Sequence, residues 1–184
     1  QDDKKILKGE AGYNYLYRLN CGGDDYTDSF GQLWLQDNTN YSRSWAENFK
    51  DLNPYLASQR TTNDPIHGTR DWTLFQHFRF GRHQLEYRFP VADGTYRIEL
   101  YFTEPWHGTG GSASTDCEGL RIFDVAVNDS VVLDDLDIWA ESGHDGVCKK
   151  VVYTTVEGGM LKIHFPKVKA GQALISGIAI ASTD

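Results

Sequence analysis

Apolar and polar residues alternate one for one along most of this chain, and that period of two constrains its fold more than any other feature. In "YNYLYRLNCGG" (13–23) the alternation predicts Tyr13, Tyr15, Tyr17 and Leu19 on one face, ahead of a Gly pair. "HQLEYRFPV" (83–91) sets Leu85, Tyr87 and Phe89 against Glu86 and Arg88, and "GTYRIELYF" (94–102) sets Tyr96, Ile98 and Leu100 against Arg97 and Glu99. "LRIFDVAVN" (120–128) separates Ile122, Asp124 and Ala126 from Phe123, Val125 and Val127, and "CKKVVYTTV" (148–156), "MLKIHF" (160–165) and "ALISGIAIA" (173–181) complete the series. Successive strand side chains point to opposite faces, so this pattern predicts half-buried strands in an all-β, antiparallel β-sandwich.

The punctuation agrees. "ADGTY" (92–96), "VNDS" (127–130) and "EGGM" (157–160) carry residues that tolerate positive φ, and each reads as a hairpin turn. "SWAENFKDL" (44–52) has a capping-box pattern, Ser44 with Glu47, and reads as one or two helical turns stopped by "NPY". Residues 53–70 and 104–119 read as long loops at the sandwich ends, where function usually resides. With no internal repeat or low-complexity tract, residues 1–184 are expected to form one domain, 1–12 being a linker or leading edge.

Aromatic residues make up 13% of the 184, with ten Tyr, nine Phe and five Trp, which favours strands over helices. The net charge of −8 and the scattered Lys and Arg argue against a nucleic-acid partner, whose phosphates demand clustered cations. No apolar run approaches the roughly 20 residues that span a bilayer. Cys21, Cys117 and Cys148 read as buried thiols, or as one Cys117–Cys148 bridge with a thiol left over.

"EPWHGTGG" places Trp106 and His107 at the mouth of a Gly-rich loop. Trp106 is either a stacking platform for the flat apolar face of a sugar ring or a loop anchor folded into the core, and spacing alone leans to the anchor. "FQHFRFGRHQ" (75–84) interleaves aromatic and basic residues. It is equally a second wall of a sugar site, with Phe80 stacking and Arg79 or Arg82 reaching hydroxyls, or a strand with a solvated basic face. "DDLDIWAESGHDG" (134–146) gathers carboxylates in a strand-like stretch, but lacks the Gly at the sixth position of an EF-hand loop. His144 and Asp145 suggest an acid–base pair without a nucleophile at a recognisable spacing. The six His show no zinc-binding spacing, and neither a metal nor a cofactor is expected.

Three segments together, "RLNCGG" (18–23), "YRIELYFTEPW" (96–106) and "RIFDVAVND…VLDDLDIWAESGH" (121–144), resemble the malectin family, carbohydrate-binding module family 57. The likeness extends over roughly residues 13–182. "EPWHGTGG", "GLRIFDVAVN" and "KAGQALISGIAIAS" are most similar to malectin-like domains appended to secreted glycoside hydrolase family 2 enzymes, β-galactosidase-like, of Bacteroides-type bacteria. The resemblance implies a jelly-roll-like sandwich with a glycan-facing loop end. It further implies a non-catalytic domain, periplasmic or extracellular, whose partners are an oligosaccharide or polysaccharide and a catalytic glycoside hydrolase domain in the same parent chain. Trp106 and His107 fall on the family's aromatic pair, Phe80 on the aromatic of the preceding segment, and Tyr41 or Trp45 on an early Tyr. The family's late Asp falls near Gly171 or Gln172, so its carboxylate is absent. Aromatic stacking by Trp106 and Phe80, with hydrogen bonds from Arg79, His107 and Gln172, is the expected site. The alternative is a structural accessory domain that packs against its catalytic region and binds no sugar.

Overall fold

The computed structural model describes residues 5–37, 41–43, 58–82, 85–108 and 116–183. The alternating segments form two packed sheets and a small third one. The first runs β11 (Cys148–Val156), β8 (Gly94–Phe102), β15 (Gly177–Ser182), β1 (Asn14–Asn20), β3 (Leu33–Gln36) and β2 (Tyr26–Thr27). The second runs β10 (Ser130–Leu136), β9 (Ile122–Val127), β12 (Met160–His164), β7 (Glu86–Pro90) and β4 (Ser42–Arg43), with β13 (Val168–Ala170) also on β9. The third joins β14 (Ala173–Ile175), β6 (His77–Gly81) and β5 (Gln59–Thr61). Among the described strands, pairing is antiparallel except between β1 and β3. The architecture is the expected all-β, jelly-roll-like sandwich.

The core between the two large sheets is built by the faces that the alternation picks out. Tyr96, Ile98, Leu100 and Phe102 of β8 and Ile178 and Ile180 of β15 meet Tyr87 and Phe89 of β7, Phe123, Val125 and Val127 of β9, and Leu161 and Ile163 of β12. A second cluster, with Leu7, Trp34, Leu74, Phe75, Tyr101 and Ala179, covers the outer face of the first sheet. Leu74 and Phe75 come from the short helix α1 (Trp72–Gln76). Leu7 is buried in this cluster, with Ile6 packed against it, and the Ile6 carbonyl accepts from Lys149 Nζ at 2.7 Å.

Several local expectations are corrected. The tyrosines of β1 do not share one face, because a bulge between Tyr15 and Tyr17 sends Tyr15 to the outer cluster and Tyr17 to the inner core. Of the three turns read as hairpins only 127–130 is one, pairing Ser130 with Val127. Residues 92–96 and 157–160 instead carry the chain between the sheets, since β7 and β12 belong to one and β8 and β11 to the other. Alternation reports which face a residue occupies, not which strand lies alongside. Residues 173–181 break at buried Ser176 into β14 and β15, and the 53–70 loop contains β5. The acidic 134–146 stretch ends β10 and turns into a helix, α2 (Ile138–Ser142), capped by Asp137 Oδ1 accepting from the Ala140 amide at 3.1 Å. The helix read over 44–52 lies outside the described residues. All three cysteines are buried free thiols, and burial with the Glu141 carboxylate pushes Cys148 up to about 11.

Two buried carboxylates organise the strands. Asp37 Oδ2 accepts from Arg79 Nε at 2.7 Å, Tyr87 OH at 2.9 Å and the Gly22 amide at 2.9 Å, and the Arg79 side chain is 1% exposed. Gly22 has φ 71°, and a β-carbon there would stand 2.5 Å from the Phe78 carbonyl oxygen, which explains the glycine after Cys21. On the outer face, Glu99 is 1% exposed and accepts from the hydroxyls of Tyr15 and Tyr101 and from Arg97 Nε. The alternation marks Glu99 as solvent-facing, but the outer cluster buries it. Burial alone would raise its carboxyl; hydrogen bonds from Tyr15, Tyr101 and Arg97 and the Lys149 charge outweigh that and hold it below its ordinary value.

Removing one partner of a buried ion pair strands the other, so Arg79→Ala is expected to cost about 3–5 kcal/mol in urea unfolding. A depressed carboxyl contributes stability above the ordinary carboxylate range, and that stability drains as pH falls through the lowered value. Glu99→Gln should therefore flatten the acid limb of stability against pH, measured by thermal unfolding from pH 7 to 3.

Candidate functional site

At one end of the sandwich an open cleft of about 740 Å³ is lined by Arg60, Thr61 and Thr62, Phe78 and Phe80, Pro105, Trp106 and His107, Arg121, Gly171, Gln172 and Leu174. Five chain segments converge there, and four of them form its walls, each for a local reason. On β6 the strand period turns Phe78 and Phe80 to the cleft and Arg79 inward; the two rings stand 6.4 Å apart between centroids. β5 pairs with β6 and brings Arg60, whose guanidinium lies 5.2 Å above the Phe80 ring, a cation–π distance. The third wall follows β8, where the chain leaves the sheet at Thr103 and presents Trp106, 73% exposed, with half-buried His107 beside it. The fourth is the turn before β14, in which Gly171 adopts φ 65° and a β-carbon would stand 2.9 Å from the Leu120 carbonyl oxygen.

One buried ion pair ties these walls together. Glu104, fully buried, accepts the Trp106 and His107 amides on Oε1 at 3.0 and 3.1 Å. Its Oε2 accepts from Arg121 Nε at 2.5 Å, and Arg121 Nη1 reaches the Gln172 carbonyl at 2.7 Å. The tryptophan loop, the start of β9 and the Gln172 turn are thus held by one continuous chain of charge-assisted hydrogen bonds. The Glu of "FTEPW" serves the architecture of the loop and is spent on that task.

Of the seven residues expected at a sugar site, Phe80, Trp106, His107 and Gln172 line this cleft together. Trp106 is not a core anchor, since its ring faces solvent. Two others are corrected. Arg79 is buried against Asp37 and Ser58 Oγ, on the opposite face of β6 from Phe80, and does not line the cleft. Tyr41 packs on Tyr17 and Phe89, with centroids 5.7 and 5.5 Å away, and is not a cleft residue. Trp45 lies outside the described residues. Phe78, Arg60, Arg121 and Glu104 were not anticipated. The period of two gave the signal for Phe78, which shares a face with Phe80; nothing in the spacing pairs Glu104 with Arg121 or brings Arg60 over Phe80.

The fold and this cleft define a β-sandwich module with an aromatic-lined, open recess at its loop end. The malectin domain model matches residues 15–183, and the chain belongs to that family. Malectin of Danio rerio is 25% identical over 87% of this chain and 52% of its own length, and malectin of Mus musculus is 26% identical over 80% and 45%. The chain thus spans about half the length of the curated relatives it matches. Among solved structures, a β-glucuronidase of Bacteroides uniformis matches 89% of this chain with 17% of its own, at 23% identity and a TM-score of 0.69. The ANX2 ectodomain of Arabidopsis thaliana matches 94% with 50% of its own, at 18% identity and a TM-score of 0.70.

Glu104→Gln replaces half of the Arg121 pair with an amide and leaves the guanidinium in a buried site without its counter-charge. The expected cost is about 3 kcal/mol in urea unfolding. Amide hydrogen exchange at Trp106 and His107 should accelerate selectively, because these are the two amides the carboxylate holds.

Proposed function

We propose that this chain is a non-catalytic carbohydrate-binding module that takes a glycan in the loop-end cleft, as the accessory domain of a secreted glycoside hydrolase. Malectin domains are carbohydrate-binding and not catalytic, and the family match covers nearly the whole chain. The observation that carries the reading is Trp106. A large aromatic ring 73% exposed beside a recess is costly to leave in water and is suited to stack on the apolar face of a pyranose. Phe80 and Phe78 offer a facing apolar wall, while His107, Gln172 and Arg60 supply polar groups for hydroxyls. Among the described residues lining the cleft none carries a carboxyl side chain, whereas glycoside hydrolysis uses two facing carboxyl groups roughly 5–10 Å apart.

The accessory role rests on a different observation. A β-glucuronidase of Bacteroides uniformis contains this fold in 17% of its length, so a domain of this shape is compatible with a large hydrolase chain. Among the described residues no helix is long and apolar enough to cross a membrane, and a periplasmic or extracellular location accompanies the proposed partnership with a hydrolase. The second reading, a scaffold that packs against its catalytic region without binding sugar, shares this support and differs in assigning Trp106 to a domain interface.

An open cleft of this kind buries little ligand surface and must desolvate sugar hydroxyls, so the expected affinity is micromolar to millimolar, on the order of −4 to −8 kcal/mol. A glycan array on the chain, followed by calorimetry on the best ligand, tests this with Trp106→Ala as the paired variant. Binding to a defined glycan that weakens at least tenfold in a folded Trp106→Ala variant is expected. Silence across plant and host glycans with both proteins folded would overturn the binding role and leave the scaffold reading.

A further inference from the structure

A second constellation lies behind the segment that carries Trp106. His144 forms a bridge with Glu104, and the Asp145 amide donates to the Glu104 carbonyl at 2.9 Å. His144 Nε2 stands 2.9 Å from Asp145 Oδ2 and 3.8 Å from Asp64 Oδ2, and one ligand atom from each of the three residues lies within 4.8 Å of the others. Two carboxylates therefore confront one imidazole. The Asp145 side chain is 5% exposed, and its Oδ1 is buried without a hydrogen-bond partner among the described residues. An orphaned carboxylate oxygen in a buried site is costly unless something satisfies it.

Position and donor chemistry indicate what that something is. The Asp145 carbonyl accepts from the His67 amide at 2.8 Å, so hydrogen bonds hold the backbone on both sides of its α-carbon. Asp64 reaches the trio from the loop after β5, which makes the arrangement a junction of two segments rather than a run of neighbouring acids. Zinc binds imidazole nitrogen and carboxylate oxygen at about 2.0–2.2 Å, which spaces adjacent ligand atoms by roughly 3–3.5 Å. The 2.9 and 3.8 Å separations bracket that spacing. A mixed nitrogen–oxygen set suits zinc or a neighbouring first-row divalent ion, whereas calcium prefers six to eight oxygens.

We infer that Asp64, His144 and Asp145 form a binding site for one divalent transition-metal ion of the zinc class. Such an ion joins the Asp64 loop, which starts just beyond cleft residue Thr62, to the turn that backs the Trp106 loop. The inference does not depend on the glycan reading, and its readouts involve no sugar.

Chelator-treated protein titrated with ZnCl2 in a calorimeter, with CaCl2 in parallel, is the test. One zinc per chain and a raised Tm are expected, with no saturable heat from calcium. Asp145 has φ 55°, a left-handed conformation that Asn also tolerates, so Asp145→Asn is compatible with the native backbone. That variant and His144→Gln should each weaken zinc at least tenfold with circular dichroism unchanged. Asp64→Asn, on an exposed residue, gives the same readout should either of those variants fail to fold. Absence of saturable zinc binding, equal binding of calcium, or zinc affinity unchanged in the folded variants would each overturn the site.

Discussion

A single carboxylate oxygen, Asp37 Oδ2, connects all three sheets of this molecule. It follows the last residue of β3 in the first sheet, accepts from Tyr87 of β7 in the second, and pairs with Arg79 of β6 in the third. It also accepts the Gly22 amide, where β1 ends. A buried charge pair returns little net stability, because desolvation consumes most of its Coulombic gain. Its value is positional. With Arg79 directed inward, the period of two directs Phe78 and Phe80 outward, and the apolar wall of the cleft follows from that choice.

Glu104 repeats the device at the opposite wall. One buried carboxylate takes two successive loop amides and an arginine, and the arginine extends the network to the Gln172 carbonyl. The two carboxylates divide the labour, Asp37 setting the register of the strands beneath the cleft and Glu104 setting the loops above it. The carboxylate fixes the Trp106 backbone while the side chain remains 73% exposed.

The inner core was legible because alternation is a local signal. Leu85, Tyr87 and Phe89, or Phe123, Val125 and Val127, declare their face by their own spacing, and the sandwich buries those faces. The same signal failed where a second layer intervened. Glu99 reads as an outer-face residue, yet the outer cluster, to which Leu7 and α1 contribute, buries it. It failed again at the β1 bulge, where one extra residue reverses the face of every side chain before it. Four of the residues singled out by resemblance and residue type, Phe80, Trp106, His107 and Gln172, share the cleft, while Arg79 lies on the other face of β6, as its odd position beside Phe80 already implied.

The sequence by itself determined the strand content, the face of most strand residues, the malectin resemblance and the presence of Trp106 and Phe80. These depend on neighbours a few residues away, through the two-residue pleat and through turn residues that tolerate positive φ. Only the tertiary structure decided which turns cross between sheets, that Glu104 and Arg121 join the loops from 17 residues apart, and that Arg60 covers Phe80. It alone brought Asp64 to His144 and Asp145. Such contacts link residues whose separation along the chain carries no periodic signature, and they form only when distant strands have found their partners.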